Sequence, residues 1–321
     1  MEQRVLGRTG LRVSVLGYGA GAVGGLMVRG TPAEQERSVG RALAAGITYV
    51  DTAPSYGNGQ SETNLGRVLK ALKASPVLGT KVRLPAAARS DIAGAITASL
   101  EASLQRLGRD SVDLFQLHDP IGTADGLSLA QVLEQAVPAM QRLRDRGKCR
   151  FLGITALGEE PALRTLLGAG VIDTAQVPFN ALNPSWLGEL PAGVPGQDFR
   201  RLGDHAAAHG VGLIGIRILA AGALSGEAAR HPVAMPEVAP IASADDYATD
   251  LANARRLLPL VAEGVAGSLA ELAIRFAIGA PRIGTALIGT ASLEQLETAI
   301  AAAERGPLPP PARERIAALL A

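Results

Sequence analysis

The chain has 321 residues, a formal net charge of +1, 47% hydrophobic residues and 19% charged residues. This composition supports a large core and excludes extensive disorder, and the near-neutral charge argues against nucleic acid or an anionic membrane as the main partner. The single cysteine, Cys149, excludes an intrachain disulfide and any metal site built from several cysteines.

The N-terminal segment from Met1 to Arg12 is charged and contains no apolar signal core. No apolar run reaches the roughly 18 residues that a membrane-spanning helix needs. We therefore expect a soluble, cytoplasmic protein with a small-molecule ligand, no nucleic acid and no membrane. Nothing in the sequence indicates an oligomeric state.

The first predicted element is a small hairpin over residues 4–13 that turns at Thr9-Gly10 and plugs one end of the fold. After it, a short apolar run, a polar loop and an amphipathic helix alternate along the chain. The predicted strands are Val13–Gly17, Ile47–Val50, Val77–Gly79, Val112–Leu117, Phe151–Ile154, Thr174–Val177, Val211–Ile216 and Ala286–Ile288. The predicted helices cover 33–45, 61–73, 91–107, 129–146, 159–168, 198–209, 250–279 and 292–304.

Continuous apolar strands that alternate with helices are typical of a parallel sheet covered on its outer side. Eight such units without a linker predict one domain over residues 1–321, an α/β protein with a (β/α)8 TIM barrel and an N-terminal β-hairpin plug. Residues 225–250, rich in Pro, Ala and Asp, are expected to form a long loop over the active face. Thr31, Pro32 and Glu34 predict a capped helix start, and Gly46 and Gly108 predict helix ends.

Two segments match the GxGxxG pattern of dinucleotide-binding folds, Gly19–Gly24 and Gly210–Gly215. The first match is not followed directly by a helix, and Asp51 lies 27 residues after Gly24 where about 20 are expected. The second match lies inside a strand. With 38 glycines in the chain, we favour tight packing of strands and loops at these glycines over a Rossmann fold.

Polar side chains occur at three successive strand ends, where barrel enzymes place their catalytic groups. Asp51 follows the second strand, Lys81 the third and His118 the fourth, and Tyr56 lies in the loop after Asp51. Taken singly, each has a structural alternative: a cap or loop bond for Asp51, loop packing for Tyr56, and a rim position for Lys81 or His118. Four such residues compatible with one chemistry favour a shared site.

These four residues suit proton transfer to a carbonyl oxygen. A tyrosine hydroxyl has a pKa of about 10, and a neighbouring ammonium stabilises its phenolate. Lys81 can supply that charge, Asp51 can hold Lys81 as a paired ion, and His118 can hydrogen-bond the reacting oxygen. The set contains no nucleophile–base pair and no spacing of metal ligands, so hydride transfer fits it better than hydrolysis.

The segment Val50–Gly57, with Ser61-Glu62, Leu65-Gly66, Gly79-Thr80-Lys81 and Leu117-His118, strongly resembles the aldo-keto reductase signature. The resemblance runs in the expected order from the hairpin to about Arg305. It implies an NAD(P)-dependent enzyme acting on an aldehyde, ketone or sugar hemiacetal, with Asp51, Tyr56, Lys81 and His118 as catalytic residues and Tyr56 as general acid/base. The alternative is a non-catalytic, NADP(H)-binding regulatory subunit of the same fold.

The resemblance also implies that the cofactor binds extended across the barrel mouth. Carried over by position, Thr155 and Gln176 contact the nicotinamide carboxamide, and Ile216 lies against the ring. The pyrophosphate and adenosine contacts then come from Arg217, Leu219, Gly222, Leu224, Gly289, Thr290, Ser292 and Gln295.

Several positions depart from the family pattern. Ala156 replaces a common Asn, Ile216 replaces a stacking aromatic, and the basic residues that grip a 2′-phosphate are absent at Gly289 and Gln295. NADP(H) and NAD(H) therefore both remain candidate cofactors, with Arg282 a possible compensating cation. Trp186 either lines the substrate pocket or caps the barrel rim, and small residues at the mouth leave room for a bulky or polyol substrate, in the style of bacterial aldose dehydrogenases.

Overall fold

A computed structural model describes residues 1–321 and shows a closed barrel of eight parallel strands. Each strand pairs with the next along the chain, and the last strand pairs with the first to close the barrel, which confirms the predicted (β/α)8 fold. The barrel strands are β3 Leu16–Gly19, β4 Tyr49–Asp51, β5 Val77–Val82, β6 Val112–Leu117, β7 Cys149–Thr155, β8 Thr174–Pro178, β9 Gly212–Ile216 and β10 Ile283–Gly289.

Helices surround the barrel, and a main core of 80 buried residues fills the layer between strands and helices. The helices are α1 Leu26–Arg29, α2 Pro32–Ala44, α3 Gln60–Ala71, α4 Ile92–Leu107, α5 Leu129–Gln131, α6 Val137–Asp145, α7 Glu160–Gly168, α8 Leu202–Ala208, α9 Tyr247–Arg255, α10 Leu258–Ala262, α11 Leu269–Ile278, α12 Leu293–Glu304 and α13 Pro310–Leu320. A π-helical turn, Val132–Ala136, joins α5 to α6. No helix has both the length and the apolar character that crossing a bilayer requires.

The capping signals at the start of α2 act as predicted. The Thr31 hydroxyl accepts the Glu34 N–H, and the Glu34 carboxylate accepts the Thr31 N–H at 2.8 Å, so two otherwise unpaired amide groups are satisfied. Gly108 ends α4 with a left-handed φ of 61°, a conformation in which glycine avoids the Cβ clash of other residues.

The N-terminal hairpin consists of strands β1 Gln3–Val5 and β2 Arg12–Ser14. The hairpin is confirmed, and Thr9-Gly10 lies within its connection, which spans residues 6–11 and contains a 3₁₀ turn at Gly7–Thr9. This connection lets Leu6 turn inward and become fully buried. Leu6 belongs to a barrel-floor cluster of seven buried residues, Leu6, Leu11, Val13, Tyr49, Leu114, Ile214 and Leu287.

Two glycines at the strand starts make room for this plug. A Cβ on Gly212 would lie 2.8 Å from Leu6, and a Cβ on Gly284 would lie equally close to it. The hairpin therefore closes the end of the barrel at which the strands begin, as the predicted plug requires.

Several element boundaries differ from the prediction. The first barrel strand begins at Leu16 rather than Val13, because Arg12–Ser14 pairs antiparallel within the hairpin. The predicted helix over 250–279 is three helices, α9, α10 and α11, separated at Arg256-Leu257 and at residues 263–268. Helix α13 was not predicted, because its start lies among prolines.

The glycine-rich segments pack closely, as favoured, and the closed barrel excludes a Rossmann fold. A Cβ on Gly24 would lie 2.6 Å from the backbone nitrogen of Thr290, so the loop after β3 contacts the end of β10 directly. A Cβ on Gly21 would cause no such clash, since the nearest atoms to it would be those of the Tyr56 ring, at 3.9 Å.

Candidate active site

The polar residues found at strand ends converge at the ends of β4, β5 and β6. Asp51 is the last residue of β4, and His118 directly follows β6. Lys81 lies inside β5 rather than after it, because that strand extends to Val82 by pairing with β6, with Lys81 opposite Gln116.

Lys81 is fully buried and forms an ion pair with Asp51. Its ammonium also donates to the backbone oxygen of Thr52 at 2.8 Å. Burial acts to lower the pKa of Lys81, but the neighbouring Asp51 carboxylate and Tyr56 oxygen together outweigh burial and raise it. Lys81 therefore remains a charged ammonium at neutral pH.

The second oxygen of the Asp51 carboxylate accepts three further hydrogen bonds. The donors are the Tyr49 hydroxyl at 2.8 Å, the Gln116 amide at 3.0 Å and the Gln176 amide at 2.7 Å. Burial, followed by the charge of Asp51, raises the pKa of Tyr49 well above its ordinary value, so Tyr49 keeps its proton and acts as a donor. Asp51 is thus fixed in place by groups from three other strand positions.

Tyr49 and Gln116 were not predicted as members of this network. A signal was present, because side chains alternate between the two faces of a strand. Tyr49 lies two residues before Asp51, and Gln116 lies two residues before His118, so each shares the inward face with a residue that was singled out.

Tyr56 lies over the buried ammonium and beside the histidine. The Lys81 nitrogen is 4.8 Å from the centre of the Tyr56 ring. The rings of Tyr56 and His118 are 6.1 Å apart, centre to centre, and almost perpendicular. The structure therefore brings together Asp51, Tyr56, Lys81 and His118, and it leaves the Tyr56 ring partly exposed to a cavity.

His118 is uncharged at this site. Burial, and then the positive charges of Lys81 and Arg83, lower the pKa of His118 to about 3. A neutral imidazole carries one N–H, so His118 can donate a hydrogen bond to an oxygen without adding positive charge.

The cavity beside these residues has a volume of about 870 Å³ and extends along the barrel mouth from His118 to the start of α12. This volume lies within the range of small-molecule and cofactor sites, roughly 300–1,000 Å³. The predicted site residues that line it are Asp51, Tyr56, His118, Thr155, Gln176, Ile216, Arg217, Leu219, Gly222, Gly289, Thr290 and Gln295.

Two residues predicted to contact the cofactor do not line the cavity. Leu224 is fully buried, and its N–H donates to the backbone oxygen of Leu219 at 3.1 Å. Ser292 caps α12 by accepting the N–H of Gln295. Thr155 and Gln176 lie at the cavity wall, but the Gln176 amide already donates to Asp51.

Residues 227–246, which we call the strap, run across the mouth without helix or strand. The Met235 N–H donates to the backbone oxygen of Val23 at 3.0 Å, and the Arg217 guanidinium donates to that of Ala239 at 3.2 Å. The strap therefore bonds to the loops after β3 and β9, the two strands that flank β10. Sequence analysis placed a long loop here but named none of its residues as part of the site.

Two further residues lie away from the cavity. Trp186 is fully buried against Phe199, with ring centres 5.0 Å apart, and does not line the pocket. Arg282 forms an ion pair with Asp204 at 3.3 Å, just before β10, at the opposite end of the strand from the cavity. The expectation that Arg282 compensates for missing phosphate contacts is therefore wrong.

Comparison with known proteins gives a consistent result. The sequence model described as the aldo/keto reductase family matches residues 15–321. L-galactose dehydrogenase from Arabidopsis thaliana is 30% identical over 311 residues, 94% of this chain and 88% of that protein. D-threo-aldose 1-dehydrogenase from Pseudomonas sp is 33% identical over 182 residues, 49% of this chain and 54% of that protein. The solved structure of an aldo-keto reductase from Bacillus halodurans, in its holo form, has a TM-score of 0.74 and 25% identity and covers 99% of this chain and 96% of that chain.

Proposed function

The chain belongs to the aldo/keto reductase family, and we propose that it is an active enzyme in which Tyr56 moves the proton between a carbonyl oxygen and the protein. Membership implies NAD(P)-dependent oxidoreduction of carbonyl or sugar substrates. The role of Tyr56, the substrate and the choice between NADP(H) and NAD(H) are the parts that we propose.

The observation on which the proposal depends is the buried Lys81 ammonium between the Asp51 carboxylate and the Tyr56 ring. A phenol releases its proton more easily when a positive charge lies nearby in a poorly solvated site. Asp51 keeps Lys81 charged and in position. A protein that only binds a cofactor has no need for a buried, paired ammonium beside a partly exposed tyrosine.

The cavity suits an extended dinucleotide. Ile216 and Leu287 give it an apolar wall near the catalytic residues, and at the far end Gly289, Thr290 and Ala291 lead into α12. Backbone N–H groups at the start of a helix favour phosphate oxygens. Gly24 contributes close backbone packing against Thr290, a contact that a Cβ would prevent. These residues would hold the cofactor across the mouth.

In the reducing direction, Tyr56 donates its hydroxyl proton to the carbonyl oxygen. A reduced nicotinamide cofactor, when bound along this cavity, would supply the hydride, two electrons and one hydrogen, to the carbonyl carbon. An aldehyde or ketone, the reduced cofactor and one proton thus yield an alcohol and the oxidised cofactor. His118 donates its N–H to the same oxygen and orients it, and Tyr56 then regains a proton from solvent. In the oxidising direction, Tyr56 accepts the proton of the alcohol or hemiacetal.

We propose an aldehyde, a ketone or a sugar hemiacetal as substrate, which the sugar dehydrogenases among the relatives support. Small residues at the mouth, such as Gly21 and Ala22, leave room for a polyol. A cytoplasmic location stays a prediction.

A panel of aldehydes and sugars tested with NADPH, NADH, NADP and NAD, followed by absorbance of the reduced nicotinamide, tests this function. We expect turnover with at least one pair, and the same panel gives the preferred cofactor and direction. Tight cofactor binding without turnover of any member would instead support the non-catalytic subunit.

A further inference from the structure

Arg83 lies at the catalytic end of the cavity, two residues beyond Lys81. Strand side chains alternate in direction, and the intervening Val82 packs into the core between sheet and helices. Arg83 accordingly lines the same cavity as Tyr56 and His118. Arg83 was not among the predicted site residues, and the proton transfer proposed above does not use it.

The backbone around Arg83 is fixed on both sides. The His118 N–H donates to the Val82 oxygen at 2.8 Å, and the Leu84 N–H donates to the Asp119 carboxylate at 3.0 Å. These bonds fasten the loop after β5 to the loop after β6. Arg83 therefore extends from a defined point directly beside His118.

The guanidinium of Arg83, in contrast, has no partner. Its side chain is exposed and makes no hydrogen bond or ion pair within the protein. The two other arginines that line the cavity are anchored: Arg217 donates to the backbone oxygen of Ala239, and Arg230 donates to those of Ala221 and Met235. Arg83 is the cavity arginine whose donors all remain available.

No carboxylate forms an ion pair with Arg83, although the charges of Arg83 and Asp119 act on each other. Asp51 is paired with Lys81, and Asp119 is buried, with both oxygens directed at the Leu84 N–H. Lys81 and Arg83 are the charged groups that act on His118, and both are cations. At the catalytic end of the cavity, Arg83 is therefore an exposed cation without an ion-pair partner, beside the buried Lys81–Asp51 pair.

We propose that the substrate carries an anionic group, a carboxylate or a phosphate monoester, which Arg83 holds while the carbonyl contacts Tyr56 and His118. This inference rests on the proposed function and adds the substrate class to it. A guanidinium forms paired, charge-assisted hydrogen bonds with both kinds of anion. Arg83 is in this sense a specificity-determining residue, which acts on binding rather than on proton transfer.

Matched substrate pairs test the inference. Succinic semialdehyde is compared with butanal for the carboxylate, and glyceraldehyde 3-phosphate with glyceraldehyde for the phosphate. We expect the wild-type kcat/KM to favour at least one anionic member by at least about 10-fold, and Arg83→Gln to reduce that preference by about 10- to 100-fold, mainly through KM. Arg83→Lys should keep part of the preference because it keeps the charge.

Arg12→Gln is the matched control, because it removes the same charge from the exposed hairpin at the other end of the barrel and should leave the preference unchanged. Comparable kcat/KM values within both pairs for the wild type, or an undiminished preference in Arg83→Gln, would overturn the inference while the proposed function stands. If the wild type turned over none of the four compounds and no sugar or aldehyde of the wider panel, the proposed function and the inference would both be wrong. Circular dichroism of Arg83→Gln establishes that the variant is folded.

Discussion

Lys81 is the residue on which the proposed chemistry depends. Burying its ammonium reduces the stability of the fold unless the charge is paired, but it also strengthens the effect of that charge on Tyr56. The side chain is fully buried, and its charge is balanced by Asp51. Removing one partner of a buried ion pair leaves the other charge uncompensated, whereas removing both charges is often well tolerated. This asymmetry allows the structural and the catalytic roles of Lys81 to be separated.

We predict that Lys81→Met destabilises the protein by about 3–5 kcal/mol and reduces turnover at least about 100-fold. Adding Asp51→Asn should restore much of the stability, because no buried charge is then left unpaired, but it should not restore turnover. Urea unfolding and steady-state kinetics of the single and the double variant measure both effects. Recovery of activity in the double variant would contradict the role assigned to the ammonium.

His118 gives a prediction about pH. Its pKa is lowered to about 3 in the folded protein, against about 6.5 in the unfolded chain. The unfolded chain therefore takes up a proton at higher pH than the folded protein does. The resulting contribution to stability is complete above about pH 6.5 and is lost as the pH falls from there towards 3.

We expect the imidazole resonances of His118, assigned by comparison with His118→Gln, to stay unchanged between about pH 5 and pH 8. A His118 titration centred near neutral pH would show that the imidazole is charged in part of the working range, and its role as a neutral donor would have to be abandoned.

Strand ends in the sequence predicted the position of Asp51 and His118, but not how Asp51 is held. Tyr49, Gln116 and Gln176 come from three different strands and meet at one carboxylate oxygen. Which inward-facing residues meet depends on the stagger between strands. The alternation of side chains along one strand does not reveal the stagger between strands. Gln176 was therefore predicted to contact the cofactor, and its hydrogen bond to Asp51 was not predicted.

Among the elements, the N-terminal hairpin has the clearest structural role. Leu6 enters the barrel floor and occupies the space that Gly212 and Gly284 leave open. The fully buried Leu6 is followed by a left-handed Gly7, whose Cβ, if present, would collide with the backbone of Gly212. The plug therefore depends on close backbone contact as well as on apolar burial.

We predict that Leu6→Ala lowers the free energy of unfolding by about 2–5 kcal/mol, because it leaves a cavity in the barrel floor. Val5→Ala is the control within the same hairpin, since Val5 is 54% exposed, and it should have little effect. Chemical denaturation of the two variants measures the difference. Equal stabilities would mean that the hairpin does not support the barrel.

Periodicity predicted where helices occur better than where they end. Residues 250–279 keep helical spacing of apolar residues, yet Pro259 and the glycines at 264 and 267 divide them into three helices. The hairpin connection includes the predicted Thr9-Gly10, but it is wider than the sequence signal because Leu6 and Leu11 are buried beside it. The helix boundaries therefore follow local proline and glycine signals, whereas the width of the hairpin connection follows packing.

At the scale of the whole molecule, closure of the sheet decides how the glycine-rich segments are interpreted. Pairing of β10 with β3 brings Gly289 next to Gly19 and places Gly24 against Thr290. The GxGxxG match therefore lies at the rim of the barrel cavity, without a dinucleotide-binding helix. The eight repeated units predicted this closure, whereas the path of the strap across the mouth could not be predicted from an aperiodic segment.

The same closure gathers the catalytic residues at one end of the cavity and the start of α12 at the other. The prediction that residues 1–321 form one domain is consistent with strands from both ends of the chain sharing one sheet, and it stays a prediction. The central claim is narrower: a phenol beside a buried ammonium transfers the proton in a nicotinamide-dependent reaction.

Replacement of Tyr56 by Phe tests that claim most directly, since it removes one hydroxyl and leaves the ring over Lys81. We predict that cofactor affinity, measured by titration calorimetry, changes little while kcat falls at least about 100-fold. Tyr18→Phe, which removes a buried hydroxyl bonded to Ser38 on the outer side of the barrel, should retain turnover. Wild-type turnover by Tyr56→Phe would contradict the account.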